Sequence, residues 1–120
     1  MLLIDDEPDI RTIGRIALAS VGGWNVLAAA SGAEGIALAQ RHGPDLILLD
    51  VMMPGLDGPE TLAELRAAAE TRAIPVIFMT AKVLRSEVER YVALGARGVI
   101  TKPFDPMRLC DEVRALMGEP

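Results

Sequence analysis

Four short apolar runs in this chain each end in side chains able to handle a phosphoryl group. Met1–Ile4 leads into Asp5 and Asp6, Leu46–Leu49 into Asp50, Val76–Met79 into Thr80, and Val99-Ile100 through Thr101 into Lys102. If these runs are strands of an open parallel sheet, the groups just past their carboxyl ends converge on one crevice, where such folds bind ligands. Three carboxylates, a hydroxyl and an ammonium gathered there would make a metal-assisted phosphate site. Taken singly, each residue is ordinary. A strand-ending Asp usually turns the chain or caps a helix, a Thr there serves β-propensity, and a Lys before Pro is usually a solvated charge. The weight lies in their conjunction at four strand ends.

Charge balance narrows the chemistry. Neighbouring strands lie about 5 Å apart, so Asp5, Asp6 and Asp50 repel one another unless something positive holds them. Mg²⁺ together with the Lys102 ammonium would balance them, and Mg²⁺ accepts a few carboxylates plus waters and phosphate oxygens in place of a full protein cage. Ca²⁺ would need a loop of about six to eight oxygens. Zn²⁺ would need Cys and His ligands, and Cys110 and His42 stand at unrelated positions. A carboxylate beside Mg²⁺ and a lysine can attack a phosphoryl donor and become an aspartyl phosphate. Asp50 is the best nucleophile, because it follows the most apolar run and precedes Val51-Met52-Met53-Pro54-Gly55, a loop able to present it.

The elements that must position these groups are legible as an alternation of two periods. Strands are predicted near 1–5, 24–29, 45–50, 75–80 and 98–101, and helices near 8–21, 32–42, 58–71, 84–94 and 105–117. Ile10, Ile13, Ala17 and Val21 give the first helix one apolar face, ended by Gly22-Gly23. Ser31 with Glu34, Asp57 with Glu60, and Ser86 with Glu89 read as capping boxes. Gly95 suits the end of the fourth helix. Leu109, Val113 and Leu116 form the inner stripe of the last helix. Strands 46–49 and 76–79 are apolar on both faces, as a parallel sheet covered by helices on both sides requires. The pattern is that of a five-stranded, doubly wound α/β domain.

Composition agrees with that reading. The chain has 120 residues, 51% hydrophobic and 24% charged, enough for one domain with a real core. A net charge of −5 argues against a nucleic-acid footprint, which needs a basic face. No apolar run approaches the roughly 20 residues of a membrane span, and a lone Cys110 fits a reducing compartment. The expectation is a cytoplasmic domain occupying residues 1–120, without an output domain.

The motifs Ile4-Asp5-Asp6-Glu7-Pro8, Asp50-Val51-Met52-Met53-Pro54-Gly55-Leu56-Asp57-Gly58, Met79-Thr80-Ala81 and Thr101-Lys102-Pro103-Phe104 resemble, in order and along nearly the whole chain, the receiver domain of two-component response regulators. The resemblance implies a flavodoxin-like sheet of order 2-1-3-4-5. It implies that Asp50 is the phosphoacceptor, charged by a sensor histidine kinase or a histidine phosphotransfer protein. Asp5, Asp6, Asp50 and the backbone carbonyl of Met52 would hold Mg²⁺. Lys102 would contact the phosphoryl group, with a cis bond to Pro103, and Thr80 would swing in to hydrogen-bond it. Output would pass through the face of helix 4, strand 5 and helix 5 to a downstream protein, an output domain or a second copy of the chain in a homodimer. One position departs from the pattern. The family commonly places Tyr or Phe three residues before the lysine as a switch residue, and here that residue is Val99. Coupling would then rest on Thr80, Ala81 and helix 4, with Tyr91 involved.

Two other functions compete. A phosphorylation-independent scaffold is the alternative within the family. A dehalogenase-like phosphatase would need a second acid two residues after the nucleophile, where Met52 stands. The remaining residues read as structural. His42 is a helix-end residue, Cys110 a small semi-buried side chain and Trp24 a cover for the second strand. Lys82 is placed to affect water's access to the phosphoaspartate.

Overall fold

A computed structural model describes residues 1–81 and 83–118. Five parallel strands form one sheet: β1 Leu2–Ile4, β2 Leu27–Ala29, β3 Ile47–Asp50, β4 Val76–Thr80 and β5 Gly98–Thr101. Their order is β2-β1-β3-β4-β5, as the resemblance implies. Five helices connect and follow them: α1 Pro8–Ile16, α2 Gly32–His42, α3 Gly58–Ala67, α4 Arg85–Ala93 and α5 Leu109–Met117.

The alternation of side chains along the central strands divides the core in two. Leu2, Ile4, Ile47, Leu49, Val76 and Phe78 face one side, where Ala39 of α2, Leu62 and Leu65 of α3 and Tyr91 of α4 cover them. Leu3, Leu48, Ile77 and Met79 face the other, covered by Ala17, Leu18, Leu109, Cys110 and Val113. β3 and β4 are therefore buried on both faces, which explains their unbroken apolar sequence.

Local chemistry sets most boundaries as expected. Asp57 and Glu60 complete a reciprocal capping box at α3, with Asp57 N–H donating to Glu60 at 3.1 Å and Glu60 N–H to Asp57 at 2.9 Å. Ser31 Oγ accepts from Glu34 N–H at 3.2 Å at the start of α2. Gly95, with φ +112°, ends α4.

Several local expectations need correction. The first helix gives way after Ile16 to a wider π-type turn over Ala17–Val21. The buried face is Gly14, Ala17 and Leu18, while Ile13 and Val21 are exposed. Gly14 supplies the close approach: a Cβ there would lie 2.8 Å from Leu3 Cδ2. Ser86 does not cap α4, whose N-cap is Leu84 without a side-chain bond. α5 begins at Leu109 and not near 105, after a turn in which Asp105 accepts the Met107 N–H at 2.9 Å. Trp24 packs against the cluster beneath α5, its ring 5.0 Å from the Arg114 guanidinium. Cys110 is fully buried. Among the described residues no helix is long and apolar enough to cross a membrane.

Candidate functional site

Strand register brings the predicted groups together. Ile4 pairs with Leu49, so Asp5 and Asp50, the next residues along their strands, emerge side by side at the carboxyl end of the sheet. Asp50 pairs with Met79 and Thr80 with Thr101, which extends the row to β4 and β5. Lys102 N–H donates to the Thr80 carbonyl at 2.8 Å, which sets the lysine at the same end. The Lys102–Pro103 peptide is cis, as the resemblance implies.

The floor of the crevice is tightly held. Asp5 is fully buried, and its Oδ1 accepts the Glu7 N–H at 2.9 Å. Its carbonyl accepts the Arg11 guanidinium at 2.8 Å. Asp50 is also buried, and its Oδ1 accepts the Met52 N–H at 3.3 Å. The turn after it is drawn close by Gly58, whose N–H donates to the Val51 carbonyl at 2.9 Å. A Cβ on Gly58 would fall 2.8 Å from both Asp50 O and Val51 Cα, so a larger residue would push the phosphoacceptor loop away. Met52 leaves its side chain exposed at the rim.

Lys102 joins the acids. Its Nζ lies 2.9 Å from Asp5 Oδ2, 3.2 Å from Glu7 Oε1 and 3.4 Å from Asp50 Oδ1. Burial works to lower the lysine pKa, but the hydrogen bond and charge of Asp5, with Asp50 and Glu7, outweigh it and raise it. Lys102 is therefore a permanent cation. Asp50 moves the other way for a carboxylate. Burial first, then the negative charge of Asp5, raise it from 3.8 to about 7, with Lys102 and the Met52 N–H only partly opposing them.

The set fits a hard divalent cation. Oxygens of Asp5, Asp6, Glu7 and Asp50 all lie within 4.8 Å of one another. Asp50 Oδ2 is buried and makes no hydrogen bond to the described residues, an acceptor that a cation would satisfy. Among the described residues this donor set is entirely carboxylate, the chemistry that suits Mg²⁺ better than a softer metal.

The structure places Asp5, Asp6, Asp50, Thr80 and Lys102 at or just past the carboxyl ends of β1, β3, β4 and β5. The Met52 N–H, one residue's backbone from the expected carbonyl ligand, is held to Asp50. Val99 is half-buried and packs against the cluster that holds Tyr91 and Phe78, whose rings are 4.9 Å apart. Lys82 lies outside the described residues. The sequence alone singles out neither Glu7 nor Arg11. Only their folded contacts with Lys102 and the Asp5 carbonyl mark them. Glu7 sits inside the Asp5-Asp6-Glu7 run, which is the signal that could have drawn attention to it.

Five parallel strands in this order, with buried acids and a lysine meeting at their carboxyl ends, make up a CheY-like receiver fold. The chain belongs to the response regulator receiver domain family, whose model matches residues 1–114. It is 37% identical over 117 residues to the protein PilH of Pseudomonas aeruginosa, covering 98% of this chain and 96% of PilH. It is 36% identical to the response regulator Rre1 of Synechocystis, of which it spans only 51%. The chemotaxis protein CheY4 of Vibrio cholerae superposes with a TM-score of 0.88 at 30% identity, over 96% of this chain and 95% of that one. A Francisella response regulator receiver domain superposes at 0.85 with 28% identity, over 98% and 94%.

Proposed function

We propose that residues 1–120 act as one receiver domain that takes a phosphoryl group onto Asp50 from a phosphohistidine of a sensor histidine kinase or a histidine phosphotransfer protein. The observation that carries this reading is the buried Asp50 carboxylate, with Oδ2 unbonded and Oδ1 3.4 Å from the Lys102 ammonium. An Asp50 oxygen attacks phosphorus, the bond from phosphorus to the donor nitrogen breaks, and the imidazole leaves with the electron pair. Lys102 meets the negative charge on the transferring oxygens, and such preorganised charge is most of what phosphoryl transfer asks of a protein. Asp5, Asp6, Asp50 and the Met52 carbonyl are the groups that would hold Mg²⁺. Bound there, it would supply the remaining positive charge against the carboxylates and the phosphoryl oxygens.

Once phosphorylated, Asp50 bears roughly one further negative charge and three acceptor oxygens. The Thr80 hydroxyl, at the end of β4, would donate to one of them. That motion would draw on Ala81 and the start of α4, shifting the population of the α4–β5–α5 face that meets a downstream protein, an output domain or a second copy. With Val99 in the family's aromatic position, the ring already packed between α4 and β4 is Tyr91.

Intact mass after incubation with acetyl phosphate tests the reading. The expected result is a gain of one phosphoryl group that requires Mg²⁺ and is absent in Asp50→Asn. No gain, under conditions that label a control receiver, would leave a phosphorylation-independent scaffold.

A further inference from the structure

Lys102 cannot serve three carboxylates and a phosphoryl group equally, and the three differ in how far they can yield. Asp5 is immobile: its side chain is fully buried, its Oδ1 accepts the Glu7 N–H and its carbonyl is pinned by Arg11. Asp50 is the acceptor itself, buried to within 3% of complete side-chain exclusion. Glu7 has a side chain 58% exposed, yet its Oε1 lies 3.2 Å from Nζ, nearer than Asp50 at 3.4 Å. It stands at the rim of a cavity of about 260 Å³ that also has Asp50, Met52, Ala81 and Lys102 in its walls.

We propose that Glu7 is a positioning residue that restrains the phosphotransfer lysine. Its carboxylate shares the Lys102 ammonium with Asp5 while Asp50 is unmodified and swings into water when the phosphoryl group arrives to claim the ammonium. The inference rests on the phosphoacceptor reading of Asp50 and deepens it. Glu7 acts through Lys102: its Oε1 lies 3.2 Å from the ammonium, and its exposure lets it leave at little cost. An exposed ion pair is weak, which is what a releasable restraint needs. It opposes the step in which Asp50 attacks phosphorus and acetate leaves from acetyl phosphate.

The test compares wild type, Glu7→Gln and Glu7→Asp in the full chain. Two quantities are read at low salt: the second-order rate constant for labelling by acetyl phosphate, and the Mg²⁺ dissociation constant from metal-dependent thermal stabilisation. Glu7→Gln should label about two- to fivefold faster, the range a weak exposed pair allows, with Mg²⁺ affinity within about threefold of wild type. Glu7→Asp keeps the charge but falls a methylene short of Nζ, so it should follow Gln and not wild type. A Glu7→Gln rate equal to or below wild type would overturn the proposal, and so would a wild-type rate in Glu7→Asp, which would reduce Glu7 to a diffuse charge. A tenfold or greater loss of Mg²⁺ affinity would also overturn it and make Glu7 a ligand. If wild type itself does not label, the phosphoacceptor reading fails instead, which keeps the two failures apart.

Discussion

On the β1–β3 side of the crevice, the chemical groups are fixed by burial and backbone bonds. On the β4–α4–β5 side, the surface turns apolar residues outward. Asp5 and Asp50 are 0% and 2% exposed and held by N–H donors two residues ahead in the chain. Around α4, by contrast, Val83, Leu84, Val92 and Leu94 are between 45% and 55% exposed. That second region is anchored from within at two points. Tyr91 packs at a tilt against Phe78, and Arg66 at the end of α3 donates to the carbonyls of Ile74 at 2.8 Å and Gly95 at 3.2 Å, clasping the turn after α4. The difference fits the proposed function. Phosphoryl transfer needs preorganised charge, whereas a switch needs an element whose alternatives lie within a few kcal/mol.

If the α4 side is anchored by Tyr91 and not by Val99, Tyr91→Ala should cost about 3–5 kcal/mol of stability, as large-to-small changes of buried aromatics do. Chemical denaturation reads this. The labelling rate of the folded fraction should stay within about twofold of wild type, and a large fall would dissolve the distinction between the two sides. Lys102→Ala should act oppositely, slowing labelling by about 10²–10³-fold through loss of the charge facing the transferring oxygens, measured as a single-turnover rate.

The third prediction concerns the protonation of Asp50. Its raised folded value means the native state binds the proton more tightly than the unfolded chain does. The associated stability is complete below the ordinary value of 3.8 and is lost as pH rises through about 7. Metal-free wild type should therefore weaken relative to Asp50→Asn by about 2–4 kcal/mol between about pH 4 and pH 8, followed by paired denaturation curves. A constant difference across that range would mean the carboxylate is not strained by its surroundings. The smallest effect is expected at Val99. Val99→Ala, at a half-buried site, should cost about 1 kcal/mol and leave the labelling rate unchanged, measured by the same two assays.

The site was more legible in the sequence than the helices that surround it. Parallel strands share one register, so a polar residue ending each apolar run must fall at one edge of the sheet. Asp5, Asp50, Thr80 and Lys102 could therefore be grouped without coordinates. The helix faces were harder. Gly14 and Leu18 face inward where Ile13 and Val21 had been expected, and Gly14 does so within the regular part of α1. A glycine has no hydropathy to advertise its burial. The role of Glu7 was hidden for a different reason. It makes its contact with Lys102, 95 residues away, through a flexible side chain, and no local pattern encodes that.

The central claim is that Asp50 is the residue that carries the phosphoryl group. Reduction of the acetyl phosphate-treated protein with borohydride converts an aspartyl phosphate to homoserine, and peptide mass mapping then locates it. The account predicts homoserine at position 50, formed only when Mg²⁺ and the phosphodonor were both present. Homoserine at Asp5, Asp6 or Asp57, or its absence from position 50 in a protein that has gained phosphate, would contradict it.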